Sequence, residues 1–87
     1  MHVKIHTAAV PDGATTISQS AAELVRMGFN PSKLERVDRI KALAAALVSE
    51  CEDIRDDRGP GAREAAVAIT QIQGASMFAV AAATAGL

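Results

Sequence analysis

The chain has 87 residues, which suffices for one domain, and its formal net charge of −1 argues against general binding to DNA or RNA duplexes. Two Phe and no Trp or Tyr leave Ala, Val, Ile and Leu to supply most of the 49% hydrophobic content, so the core of a single copy would be thin. One Cys excludes an intrachain disulfide and two His make a poor metal set, so self-association is the expected source of further burial.

The N-terminal part of the chain, residues 1–17, is predicted to be an extended arm or a short strand. Polar and apolar residues alternate over residues 2–10, which is typical of a strand. Pro11-Asp12-Gly13 is typical of a turn. Lys4 stands where a signal peptide would begin its apolar region, and the uncharged run 74–87 is too short to span a bilayer. We therefore expect a cytoplasmic protein with no membrane partner.

A short helix is predicted within residues 18–28. Ser20 and Glu23 have the spacing of a capping box, in which each side chain bonds the backbone N–H of the other residue. Gly28 follows the last expected helical residue, Met27, at the position where glycine commonly ends helices.

The longest helix is predicted over residues 30–57. Asn30 is a favourable N-cap, and Pro31 suits the first helical position because its missing N–H costs nothing there. Apolar residues then recur at spacings of three and four, which predicts one buried face. That face consists of Leu34, Val37, Ile40, Ala44, Leu47, Val48, Cys51 and Ile54. Lys41 interrupts it.

A second long helix is predicted over residues 61–85, after the breaker Arg58-Gly59-Pro60-Gly61. Its inner row is Ala65, Ile69, Ile72, Ser76, Ala79 and Ala83. Phe78 points elsewhere, and the C-terminal half is apolar nearly all round, so burial on more than one side is expected. Two long helices joined by a short breaker pack antiparallel. The predicted fold is a single all-α domain, 1–87: an antiparallel helical hairpin with a short helix and an extended arm, forming a homo-oligomer.

Positive charge is concentrated near the start of the first long helix. From Arg26 to Lys41 there are five basic and two acidic residues, whereas Glu50 to Asp57 contains five acidic residues and one basic residue. Cations oppose the helix dipole at an N-terminus and anions are favoured there, so a negatively charged ligand is expected. Arg36 and Arg39 are solvated or face the same pocket as Lys41.

Each candidate contact has a structural alternative that the sequence leaves open. Lys41 could bind phosphate, or its stem could lie along the helix seam with its amine in water. Phe29 could stack on a base or pack back onto the helix that it precedes. Asn30 and Ser32 could offer donors to a ligand or simply cap the helix. Arg63 could meet a second anion or form an intersubunit ion pair.

The sequence contains none of the common residue patterns that indicate catalysis. There is no Ser-His-Asp or Cys-His arrangement of readable spacing and no close pair of carboxylates in apolar surroundings. A glycine-rich phosphate loop followed by Lys-Ser/Thr is also missing. We therefore expect a binding protein with no catalytic residues, no metal and no cofactor.

Several short blocks in the two long helices suggest a family. The blocks are Phe29-Asn30-Pro31-Ser32, Val37-Asp38-Arg39-Ile40-Lys41-Ala42-Leu43-Ala44, Arg63-Glu64, Ala68-Ile69-Thr70 and Ala75-Ser76-Met77-Phe78-Ala79-Val80. Together they resemble the helical hairpin of phage immune-signal sponges, namely the anti-CBASS sponge proteins and the anti-Thoeris sponges that share the hairpin. The resemblance implies a small helical homo-oligomer, typically a hexamer, that binds cyclic oligonucleotides between protomers without cleaving them.

The resemblance also implies roles for individual residues. It implies that Lys41 contacts the phosphates of a cyclic dinucleotide such as cGAMP and that Arg63 serves a second pocket type, which holds cyclic trinucleotides in some members. The stacking aromatic of the family is a Tyr further upstream of the lysine, and this chain has no Tyr, so either Phe29 covers the base from another direction or base stacking is lost. Anti-Thoeris relatives take cyclic ADP-ribose isomers. The resemblance implies that such a sponge prevents activation of the host CBASS-type effector. If the protein is phage-encoded, it would act in the cytosol of the host cell. The alternative interpretation is an oligomeric helical-hairpin adaptor module that binds another protein.

Overall fold

The computed structural model describes residues 1–9 and 13–87 of the chain. These residues form, in chain order, strands β1 (His2–Ile5) and β2 (Gly13–Thr16) and helices α1 (Gln19–Leu24), α2 (Glu35–Asp56) and α3 (Ala62–Thr84). The turn predicted at Pro11-Asp12-Gly13 depends on Pro11 and Asp12, which lie outside the described residues.

The N-terminal residues form a two-stranded antiparallel sheet. His2 of β1 lies opposite Thr16 of β2, and both strands pack against α2. Alternate residues of a strand point to opposite faces, and Thr15 and Ile17 are accordingly buried while Thr16 is exposed. Residues 1–17, predicted as an extended arm or a short strand, thus contain two short strands, and the domain is mostly helical with a small sheet rather than all-α.

Helix α1 is capped by Ser18. The Ser18 hydroxyl accepts a hydrogen bond from the backbone N–H of Ala21, at 3.1 Å. The predicted cap, Ser20, instead donates to the carboxylate of Glu52 on α2, at 2.5 Å. Glu52 is buried and also accepts a hydrogen bond from the Ser18 hydroxyl. The predicted capping box at Ser20 is thus wrong, because the Ser20 hydroxyl forms a hydrogen bond between α1 and α2 instead of capping α1.

An irregular connection, residues 25–34, joins α1 to α2. Helix α1 ends at Leu24 rather than Met27, and the backbone of Arg26 has a φ of 58°. Gly28 and Lys33 also have positive φ values, of 87° and 59°. Non-glycine residues rarely adopt this left-handed conformation, and repeated use of it prevents a continuous helix.

Helix α2 begins at Glu35, so the predicted cap at Asn30 and Pro31 is wrong. Leu34 occupies the N-cap position, without a side-chain cap. The Asn30 amide instead donates to the Leu34 carbonyl at 2.9 Å and to the Asp38 carboxylate at 3.0 Å. Asn30 therefore fastens the connection to the first turn of α2.

Helices α2 and α3 pack along each other as an antiparallel hairpin. Val37 near the start of α2 and Thr84 at the end of α3 border the same cavity. The predicted inner row of α3 faces α2, with Ala65 and Ser76 buried and the other members half-buried. The predicted hairpin is therefore observed.

The buried face of α2 is rotated from the predicted one. Its buried residues are Val37, Lys41, Ala45, Ala46, Val48, Ser49 and Glu52. Leu47 and Ile54, predicted to face inward, are exposed. The inner face instead includes Lys41, Ser49 and Glu52, whose polar groups form hydrogen bonds there. For example, the Ser49 hydroxyl accepts from the backbone N–H of Ser18 at 3.0 Å.

Large apolar side chains remain exposed on the outer sides of both long helices. They include Leu43, Leu47, Ile54, Val67 and Phe78, and Phe78 is 81% exposed. Among the described residues one helix, α3, has the length and composition of a membrane-crossing helix. The core helix of a soluble protein can share this length and composition when it is mostly buried, whereas only 11% of the apolar stretch of α3 is buried within this chain. Soluble monomers rarely expose large contiguous apolar patches, so we expect another surface to cover these side chains.

Candidate ligand-binding site

A cavity of about 400 Å³ lies between the connection and the C-terminal half of α3. Its lining residues are Leu24, Val25, Arg26, Phe29, Lys41, Gln73, Ser76, Met77 and Val80. Cavities of about 300–1,000 Å³ with a few convergent polar groups are typical of small-molecule sites. The two cations and the aromatic ring in this lining suit an anionic ligand that has a flat group.

A second cavity, of about 330 Å³, is also bordered by Phe29. Its lining residues are Phe29, Asn30, Pro31, Ser32, Val37, Lys41, Val80, Thr84 and Leu87. Phe29, Lys41 and Val80 line both cavities. The Phe29 side chain is 61% exposed, so its ring is free to be covered by a ligand in either cavity.

The amine of Lys41 is held by backbone carbonyls of the connection. Lys41 is only 7% exposed, and its Nζ donates to the carbonyl of Arg26 at 3.0 Å and to the carbonyl of Phe29. Nζ also lies 5.4 Å from the centre of the Phe29 ring, within the range of a cation–π interaction. An ammonium has three N–H donors, so one remains available. The alternative of an amine in open water is wrong.

Arg26 is a cavity residue that sequence reasoning did not single out. Its side chain lines the first cavity, and its carbonyl accepts the hydrogen bond from Lys41. Arg26 opens the basic stretch of the sequence, which was the available signal. Gln73 and Ser76 of α3 line the same cavity as Lys41 because the hairpin packs antiparallel.

The structure does not bring Arg36 and Arg39 into the cavity of Lys41. Both are exposed, and Arg39 forms an ion pair with Glu35 at 2.6 Å. With 3.6 residues per helical turn, positions two and five residues before Lys41 lie on another side of α2. The basic cluster expected from the sequence is therefore divided between two faces.

Of the other predicted ligand contacts, Asn30 and Ser32 lie at the second cavity and Arg63 lies at a third. Asn30 and Ser32 border the second cavity, but the Ser32 hydroxyl donates to the side-chain oxygen of Asn30 at 2.5 Å. These polar groups thus bind each other within the connection. Arg63 borders a separate cavity of about 320 Å³ along α3, together with Glu64 and Gln71. Among residues 1–9 and 13–87, no group of three His, Cys, Asp or Glu side chains could hold a metal ion.

Fold and site together define a small helical-hairpin protein with a cationic, aromatic cavity beside the hairpin. Its sequence matches the family described as Acb2/Tad1, hairpin domain, over residues 21–84. The chain therefore belongs to this family of sponge-type binding proteins, and the resemblance inferred from the sequence blocks is confirmed. Every residue lining the first cavity falls within the matched range. Comparisons with curated proteins and with solved structures gave no match.

Proposed function

We propose that this protein binds cyclic oligonucleotide messengers and withholds them from the effector of a CBASS-type antiphage defence, in the cytosol of the host cell. The main supporting observation is a cavity in which a fixed ammonium, Lys41, lies beside an exposed aromatic ring, Phe29, in a chain of the sponge family. Cyclic dinucleotides such as cGAMP are the first ligand class, and cyclic trinucleotides are the second.

The chemistry of the lining matches the parts of such a ligand. A phosphodiester carries one negative charge, which the remaining N–H of Lys41 and the guanidinium of Arg26 can meet. A base has a flat face that can stack on Phe29, and such stacking contributes about 1–3 kcal/mol per base. Gln73 and Ser76 add neutral polar groups on the opposite wall.

The size of the cavity favours a ligand shared between two copies of the chain. A volume of about 400 Å³ lies toward the low end of the range for ligand pockets, whereas a cyclic dinucleotide has two nucleotide halves. Two copies related by a two-fold axis would offer two equal cavities to these halves. The exposed Val67 and Phe78 of α3 provide apolar surface for contacts between copies. We propose a homo-oligomer, a hexamer as in other sponges.

The proposed function involves binding and no chemical step. The residues lining the first cavity include no His, Cys, Asp or Glu that could act as a general base or nucleophile. A sponge needs only affinity and abundance, because every bound messenger is unavailable to the effector.

A thermal-shift panel of cyclic di- and trinucleotides tests this proposal. A ligand that binds only the folded protein raises the melting temperature with concentration. We expect a rise with at least one cyclic dinucleotide and none with its linear counterpart. Chromatography after heat denaturation should return the ligand intact. A recovered cleavage product would contradict a sponge and indicate a phosphodiesterase.

A flat panel would favour the second candidate function, an oligomeric adaptor that binds another protein. The specific observation behind it is the exposed apolar side of α3, which carries Val67 and Phe78. The acidic end of α2, Glu50 to Asp57, could then dock a basic surface.

A further inference from the structure

We infer that Lys41 is a positioning residue in the ligand-free protein, whose ammonium holds the connection in the conformation that presents Phe29 to the cavities. The contacts that support this role lie within the chain and need no ligand. The consequence for affinity rests on the proposed function.

The backbone of the connection needs an external partner to keep its shape. Arg26 and Lys33 both adopt left-handed φ values, which L-residues with side chains disfavour. Residues held in such conformations persist when surrounding contacts enforce them. The carbonyl of Arg26 accepts both the backbone N–H of Phe29, at 3.1 Å, and the amine of Lys41, at 3.0 Å. Lys41 thus binds the connection at the turn from Arg26 to Phe29.

Lys41 supplies that partner from a rigid element. It lies in α2, 15 residues after Arg26 and 12 residues after Phe29 in the chain, so its hydrogen bonds join separate parts of the structure. A buried ammonium is costly unless it is hydrogen-bonded, and two carbonyls meet that need. An apolar side chain at this position would leave both carbonyls without this partner.

The position of the Phe29 ring depends on these contacts because little else holds it. The ring is 61% exposed, and the charge of Lys41 lies 5.4 Å from its centre. Asn30 fastens the other end of the connection, through Leu34 and Asp38. Loss of the Lys41 contacts would therefore release the part of the connection that carries the ring.

Fluorine NMR with 4-fluorophenylalanine reads this position directly, because Phe29 and Phe78 are the only two Phe in the sequence. In ligand-free Lys41→Met we expect the Phe29 resonance to move and the Phe78 resonance to stay. Amide hydrogen exchange over residues 26–33 should accelerate by about tenfold, with the core of α2 and α3 unchanged. Lys4→Met, at an exposed lysine of β1, should match the wild type. An unmoved Phe29 resonance with unchanged exchange would overturn the inference.

A measurement on the unmodified protein decides the matter if Lys41→Met fails to fold. The sequence has three lysines, of which Lys4 and Lys33 are exposed and Lys41 is buried. We expect one slowly exchanging ammonium signal in nitrogen-15 NMR, from Lys41, since two carbonyls protect it. Three equally fast ammonium groups would contradict the inference. Neither experiment includes a ligand, so failure of the proposed function would show only in the thermal-shift panel.

Discussion

Lys41 and Phe29 are joined twice, since the Lys41 amine lies 5.4 Å from the centre of the Phe29 ring and also donates a hydrogen bond to the Phe29 carbonyl. Both side chains border the same two cavities. The cation and the ring that the proposed ligand requires are thus fixed relative to each other before a ligand arrives. Such preorganisation improves affinity because fewer groups must be ordered on binding.

Replacing Lys41 by Met should lower the free energy of unfolding by about 1–3 kcal/mol, because two carbonyls lose a charged hydrogen-bond donor. Urea denaturation followed by circular dichroism measures this change. Lys4→Met, which alters an exposed lysine, should stay within about 0.5 kcal/mol of the wild type. Equal denaturation midpoints for Lys41→Met and the wild type would contradict the buried, hydrogen-bonded amine.

Replacing Phe29 by Ala should weaken cyclic dinucleotide binding by about 1–3 kcal/mol, the usual contribution of stacking on one base. The fold should be little affected because the side chain is mostly exposed. Isothermal titration gives the affinity, and Phe29→Tyr, which keeps the ring, serves as the matched control. Equal binding by the Ala and Tyr variants would exclude a stacking role.

Arg26→Met and Arg39→Met test whether the ligand contacts lie in the first cavity, as the structure indicates, or include the basic residues on α2 that the sequence predicted. Arg26 lines the cavity, whereas Arg39 pairs with Glu35 on another side of α2. We expect Arg26→Met to weaken binding by about fivefold, and by less at high salt because exposed charges are screened. Arg39→Met should bind like the wild type. The reverse order would place the phosphate contacts on the outer side of α2.

Phe78→Ser should reduce the size of the oligomer, because this largely exposed aromatic ring belongs to the apolar outer side of α3. Light scattering coupled to size-exclusion chromatography measures the molar mass. Asp53→Ser, at an exposed position of α2, should leave the mass unchanged. If Phe78→Ser also left it unchanged, this face would not be the contact between copies.

The parts of the fold that the sequence predicted depend on local periodicity and on strong helix breakers. The inner row of α3 from Ala65 to Ala83 is mostly small and apolar at regular spacing, and Gly and Pro after Arg58 separate the two long helices. These signals act within a few residues of each other. Elements that depend on such local signals can therefore be predicted without knowledge of contacts between distant segments.

The parts that the sequence did not predict depend on contacts between distant segments. Asn30 and Pro31 suit an N-cap, but Lys33 adopts a left-handed conformation and the helix begins only at Glu35. An apolar pattern also cannot show that Glu52 is buried, since this depends on hydrogen bonds from the hydroxyls of Ser18 and Ser20. The buried face of α2 was therefore predicted with the wrong orientation.

The positioning role of Lys41, unlike its candidate phosphate contact, was not predictable from the sequence for a related reason. Its partners are backbone carbonyls, which every residue has, so no side-chain pattern marks them. Arg26 joins the cavity only because the connection folds back over α2 and α3. The sequence marks Lys41 as an interruption of the apolar face of α2, but its two carbonyl partners follow from tertiary structure alone.

Isothermal titration of the purified protein with cGAMP tests the central claim most directly. We predict saturable binding with one cyclic dinucleotide per two chains, as expected for a ligand shared between two equal cavities across a two-fold axis. The Lys41→Met variant should bind much more weakly. No measurable heat with cGAMP or any other cyclic di- or trinucleotide, from a folded and oligomeric protein, would contradict the proposed function.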